Sequence, residues 1–90
     1  MKQIEKPGQA GTIESNDIMI TLVPAGEGQG TTIDIVSPVL KQYGHKIRQV
    51  IEEVLAENNI TNVIVQANDK GALDCTIRAR VQTAIERALA

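Results

Sequence analysis

Aromatic side chains are nearly absent from this 90-residue chain: Tyr43 is the only one, with no Phe or Trp. The core must therefore be aliphatic, built from Ile, Val, Leu and Ala. The stacking platforms that single-stranded nucleic-acid binders use are missing. A basic excess is missing too. Nine Lys and Arg stand against eleven Asp and Glu, a formal charge of −2, so no positive field attracts DNA or an anionic membrane surface. Cysteine is reduced to Cys75, which excludes an internal disulfide and fits a reducing compartment. The N-terminal region holds no apolar run like that of a signal peptide, and no segment is long enough to span a bilayer. The expectations are one cytoplasmic domain over residues 1–90, with neither nucleic acid nor membrane as a partner.

What is present is hydropathic pattern. Residues 1–9 mix charge with Pro7 and Gly8 and are expected to form a flexible arm. A short strand is expected over 10–14. A stronger one covers 17–23, where Ile18, Ile20 and Leu22 share one face. Residues 24–30, "PAGEGQG", read as a loop, and "TTIDIV" as a third strand. The period then changes. Ser37 and Pro38 mark a helix start, and Leu40, Tyr43, Ile47, Val50, Ile51, Val54 and Leu55 recur at helical steps, ending near Asn58. "TNVIVQAN" is a fourth strand and "DKG" a turn. Asp74 is placed to cap a second helix with Ile77, Val81, Ala84, Ile85 and Ala88 on its apolar side. The expected fold class is α+β: a four-stranded mixed sheet with two helices packed on one face, in the order β-β-β-α-β-α.

Catalytic machinery is hard to find. His45, the sole histidine, lies off the apolar stripe of the first helix and reads as a solvated surface residue. No His/Cys cluster has zinc spacing, so no metal is expected. "GEGQG" joins two strands and lacks the helix N-terminus that cradles phosphate. Cys75 falls in the first turn of the second helix, where the dipole favours a thiolate. The adjacent Asp74 opposes ionisation, and free cysteine more often fills space; packing is the preferred reading. Between the first two strands stands "ESND", with Ser15 on a projecting turn. Taken alone, Ser15 is turn chemistry. No local His or Lys is placed to activate its hydroxyl, so any chemistry there needs a base from another protein.

Two motifs change that weighing. "AGTIESNDIMITLVP" near the start and "NDKGALDCTIRARVQTAIERA" near the end, with "KQYGHKIRQVIEEVL" between them, resemble the citrate lyase acyl carrier protein family, the gamma subunit. The resemblance spans nearly the whole chain. It implies that the serine of the "ES" step, here Ser15, carries 2'-(5''-phosphoribosyl)-3'-dephospho-CoA through a phosphodiester, and that the thiol of this group bears the acetyl or citryl thioester. It implies as partners the alpha and beta subunits of citrate lyase, a prosthetic-group transferase and an acetate-activating ligase. The chain itself would be a carrier, not an enzyme. Glu14 and Asp17 flank Ser15 and are candidates for partner recognition through their charge. The carrier of malonate decarboxylase bears the same kind of group and resembles the "SNDI" and "LVP" parts, whereas "GALDCTIRAR" points to citrate lyase. A scaffold subunit without a prosthetic group is the alternative from another class. A thiol enzyme with Cys75 as nucleophile ranks last, because it has no base.

Overall fold

Alternation along the strands decides which side of the sheet is covered. The computed structural model describes residues 3–90, in the order β1 (Gly8–Ala10), β2 (Ile18–Pro24), β3 (Thr32–Val36), α1 (Leu40–Glu57), β4 (Val63–Asp69) and α2 (Asp74–Leu89). The sheet order is β1-β2-β4-β3. β2 runs antiparallel to β1 and β4, and β3 runs parallel to β4. Ile18, Ile20 and Leu22 on β2, with Val63, Val65 and Ala67 on β4 and Ile33 on β3, are buried on one face. Both helices cover that face, α2 over β1 and β2 and α1 beside α2 towards β3. The expected class and element order hold.

The other face has no helix. Met19, Thr21 and Asn68 are half-buried there, while Thr32, Asp34, Val36 and Gln66 are exposed. On this face Gln9 Nε2 donates to Thr21 Oγ1 at 2.9 Å. Among the described residues no helix is long and apolar enough to cross a membrane.

The core is aliphatic, as the composition requires. From α1 come Ile47, Val50, Ile51, Val54 and Leu55; from α2, Ile77, Val81, Ala84, Ile85 and Ala88. Burying each larger side chain stabilises the fold by about 1.5–3 kcal/mol relative to exposure. Two members of the expected α1 stripe depart from it. Leu40 and Tyr43 are 46% and 51% exposed: Tyr43 faces a gap between the two helices, and Leu40 lies beside Ile33 and Ile35 at the β3 edge.

Several boundaries differ from expectation. Within the flexible arm expected over residues 1–9, Ile4 is 4% exposed in the core and Gly8 and Gln9 belong to β1, while Glu5, Lys6 and Pro7 are exposed; Met1 and Lys2 lie outside the described residues. The first strand is Gly8–Ala10 and stops where residues 10–14 were expected to form it, because the backbone turns at Gly11. Ser37 does not cap α1. Its hydroxyl donates to the buried Asp69 Oδ2 at 2.8 Å and accepts from Val39 N at 3.2 Å, and the helix begins without a side-chain cap. Asp69 is 1% exposed and must be satisfied, which is why it takes that hydroxyl. Asp74 is the first residue of α2, preceded by an extended Leu73 as its cap.

Gly8 is where β1 and α2 meet. A Cβ there would collide with the carbonyl oxygen of Ala84 and lie 2.7 Å from Ala88 N. Since backbone cannot yield as a flexible side chain can, Gly8→Ala should destabilise the fold by about 1–3 kcal/mol. Urea unfolding should show a lower midpoint with an unchanged slope. An unaltered midpoint would mean that β1 is not clamped under α2.

Candidate functional site

Residues 11–17 join β1 to β2, and local backbone chemistry folds them into a projecting tip. Gly11 has φ +98°, and a Cβ on it would collide with the carbonyl oxygen of Ile18. Only glycine lets the chain leave β1 so close to the start of β2. Asn16 is left-handed at φ 65°, a conformation its short polar side chain tolerates. Asp17 N donates to Glu14 O at 3.2 Å, closing a turn with Ser15 and Asn16 at its centre. The tip is then tied to the connection between β4 and α2. Asn16 N donates to Lys70 O at 2.8 Å, and Lys70 N donates to Asp17 O at 2.9 Å. Ser15 stands exposed at the apex, between exposed Glu14 and Asn16.

The two acids beside Ser15 have different environments. Glu14 is exposed. The Asp17 side chain is only 14% exposed, and its carboxylate is taken up inside the protein. Oδ2 accepts from Thr12 Oγ1 at 2.7 Å and from Arg80 Nη2 at 3.3 Å. Oδ1 accepts from Ile18 N at 2.7 Å and from Arg80 Nε at 3.0 Å. Asp17 is therefore a brace across the base of the tip, with no free carboxylate for a partner. The Arg80 hydrogen bonds first, then those from Thr12 and the Ile18 amide, hold its pKa down at about 2, from an ordinary 3.8. Sequence reading did not single out Thr12 or Arg80. The available signal was that both fall inside the two long motifs, "GTIES" and "TIRAR".

Sheet register brings further groups to the same end. Ile18 pairs with Asp69 and Val36 with Asn68, so β2 starts where β3 and β4 finish, and both helices begin there. Between their first turns opens a cleft of about 450 Å³. Ile47, Ala72, Leu73 and Ile77 line it with Tyr43, and Lys46 stands at its edge, paired with Asp74 at 3.5 Å. Gly71 also lines the cleft and lies beside the tip: a Cβ there would sit 3.6 Å from Asn16 Oδ1.

The remaining candidates lie apart from any such assembly. Cys75 is exposed on the first turn of α2, so it does not fill space in the core as the preferred reading had it. The α2 stripe begins two residues later at Ile77, and Cys75 points off it. His45 is exposed on α1. Among the described residues no group of three or more His, Cys, Asp or Glu could hold a metal ion. What the tip offers is the exposed Ser15 hydroxyl on a braced backbone, with no histidine or lysine among residues 11–17.

Comparison with known proteins agrees with this architecture. The acyl carrier family model described as malonate decarboxylase delta subunit (MdcD) matches residues 5–88. A citrate lyase acyl carrier protein of Lacticaseibacillus casei (strain BL23) is 57% identical over 86 residues, covering 96% of this chain and 83% of that protein. The protein of the same name from Streptococcus uberis is 58% identical over 79 residues, covering 88% and 76%. That from Pectobacterium carotovorum is 48% identical over 86 residues, covering 96% and 88%. A chain in the crystal structure of a Pseudomonas malonate decarboxylase hetero-tetramer in complex with malonate superposes with a TM-score of 0.72. It is 19% identical and covers 90% of this chain and 86% of that one, a likeness of fold.

The brace can be titrated. A carboxyl whose folded-state pKa lies below its unfolded value stabilises the fold where it is ionised in both states. The Asp17 contribution is therefore present above about pH 4 and is lost as pH falls towards 2. In Arg80→Met, NMR titration of the Asp17 carboxyl should give a midpoint moved up towards 3.8, and the Ser15 and Asn16 amides should exchange faster. A midpoint still near 2 would show that Thr12 and the Ile18 amide suffice without Arg80.

Proposed function

The chain belongs to the citrate lyase acyl carrier protein family, and on that premise we propose that Ser15 is the attachment point of its prosthetic group. It is a carrier subunit of citrate lyase and performs no catalysis of its own. The group is 2'-(5''-phosphoribosyl)-3'-dephospho-CoA, joined to the Ser15 oxygen as a phosphodiester. The observation that carries this reading is the exposed Ser15 hydroxyl at the apex of a tip that Asn16 and Asp17 fasten to Lys70 and Arg80.

The residues present fit such a group. Modification needs a nucleophilic oxygen that a second protein can reach, and no side chain at the apex walls Ser15 off. The tip holds no histidine or lysine to activate that oxygen, and the transferase supplies the base. The brace at Asp17 keeps the acceptor in one place during that encounter and so limits the ordering cost of docking. Glu14 presents an exposed carboxylate that a basic docking face can use, whereas Asp17 acts as a positioning residue. When attached, the group supplies a terminal thiol that holds acetyl or citryl as a thioester. A tethered acyl group reaches each partner at a raised effective concentration.

The partners in this reading are the alpha and beta subunits of citrate lyase, the transferase and an acetate-activating ligase, all in the cytoplasm. Identities of 46–58% to proteins named for citrate lyase favour this assignment over malonate decarboxylase, to which the likeness of a solved chain is one of fold at 19% identity.

Ser15→Ala should leave stability within about 0.5 kcal/mol, as an exposed substitution outside any network does. Intact mass after incubation with the transferase and its donor should show no adduct, while the unaltered chain gains one that maps to the Ser15 peptide. An adduct on the variant would move the attachment site elsewhere. Cys75→Ser should retain both the adduct and acetyl loading, with the label on the Ser15 peptide. Loss of loading from a folded, modified Cys75→Ser protein would make Cys75 the acyl-bearing thiol.

A further inference from the structure

The one aromatic side chain of the protein is exposed, and it is placed at the end of the sheet where Ser15 projects. Tyr43 is 51% exposed on the first turns of α1, and with Ile47, Ala72, Leu73 and Ile77 it lines the cleft of about 450 Å³ between the two helix starts. Leu73, across the opening, is 69% exposed. The core closes without these two side chains. The cleft also lies beside the attachment tip. Asn16 N bonds to Lys70 O at 2.8 Å, and Gly71, the next residue, forms part of the cleft wall.

We propose that this cleft binds the adenosine portion of the prosthetic group, with the adenine ring seated against Tyr43 and Leu73. The inference rests on the reading of Ser15 as the attachment point. Its chemistry follows from the order of parts along the group. A phosphate and one ribose separate the Ser15 oxygen from the adenosine, so adenosine is the first apolar surface beyond the serine and the pantetheine thiol is the last. A flat base on an exposed tyrosine is a favourable stacking pair. The lining is mostly apolar, with Lys46, Asp74 and the buried Asp69 as its charged members, and the volume lies within the range of small-molecule sites, about 300–1,000 Å³. The charges at hand are mixed. Exposed Lys70, next to Gly71, and Lys46 at the cleft edge favour phosphate; Asp74, paired with Lys46 at 3.5 Å, and Glu14 oppose it. Apolar contact with the base therefore carries the selectivity.

Seating the base would divide the arm into two parts. The part near Ser15 is held against the protein, which sets the direction in which the remainder leaves. The distal part remains free to reach the partner subunits. A shorter mobile segment also samples a smaller volume, which raises the effective concentration of the thiol near the carrier.

With no Trp or Phe and one Tyr in the chain, tyrosine emission reports on this site alone, and the Tyr43 ring protons, assigned apart from those of His45 and adenine, report on it as well. The comparison is between the unmodified chain and the chain modified at Ser15, each verified by intact mass and peptide mapping. Modification should lower tyrosine emission and move the Tyr43 ring protons upfield, together with the Leu73 and Ile77 methyl resonances. In modified Leu73→Asp protein the Tyr43 and Ile77 signals should match those of unmodified Leu73→Asp protein. Tyr43 and Leu73 signals that are identical before and after a mapped Ser15 modification would overturn the proposal while leaving the attachment reading intact. If mass mapping finds no adduct on Ser15, the attachment reading falls, and free dephospho-CoA added to the unmodified chain tests the cleft directly. Shifts at Tyr43 with that probe support the site, and their absence overturns it. Shifts produced by phosphopantetheine but not by an adenine nucleotide would also overturn it, assigning the cleft to the pantetheine segment.

Discussion

β4 lies between β2 and β3, antiparallel to one and parallel to the other, and most of what matters in this protein depends on that placement. An antiparallel neighbour starts where β4 ends; a parallel neighbour ends where β4 ends. The β1–β2 tip, the entry to α1 and the entry to α2 are thereby gathered at one end of the sheet. A parallel pair also needs a crossover, and α1 supplies it on the same face as α2. Covering one face with two helices buries an aliphatic core without any aromatic residue and leaves the opposite face open.

The tip shows how a short exposed turn is kept in place. A surface ion pair such as Lys46 with Asp74, both about half exposed, contributes little by itself. Asp17 differs because its carboxylate is mostly enclosed and accepts from a hydroxyl, a backbone amide and two guanidinium nitrogens. Charge-assisted hydrogen bonds of this kind are stronger and directional. Together with the exchange of backbone bonds between the tip and Lys70, they hold the residues on either side of Ser15 and leave the serine itself free. A carrier needs that division: a fixed attachment point and a mobile load. The enzymes that act on the load contribute the acids and bases, which accounts for the absence of catalytic groups around Ser15.

Much of the fold was legible because it is written in local period. The alternation of Ile18, Ile20 and Leu22 and the helical spacing from Ile47 to Leu55 and from Ile77 to Ala88 all ended in the core. Ser15 was legible as a turn residue from its neighbours and as a candidate attachment site from the long motifs around it. The misreadings were of another kind. Tyr43 and Leu40 continue the apolar stripe of α1, yet nothing packs on that part of it. Cys75 was read as packing and lies exposed. Asp17 was read as a surface charge for partners and is a brace. Ser37 had the sequence of a helix cap, and its hydroxyl went to Asp69, 32 residues away.

The misreadings of Asp17 and Ser37 turned on contacts between residues far apart in the chain. Arg80 reaches Asp17 across 63 positions, and no window of sequence contains both. Local period and composition determined the element types, their order, the aliphatic core and the one-sided covering of the sheet, because backbone geometry forces apolar side chains onto a single face at spacings of 2 or about 3.6 residues. The tertiary structure alone decided the strand order, the bracing of the Ser15 tip and the opening of a cleft beside Tyr43. Those features depend on which surfaces meet after the elements have formed, and on which polar group buried Asp69 and enclosed Asp17 found within reach.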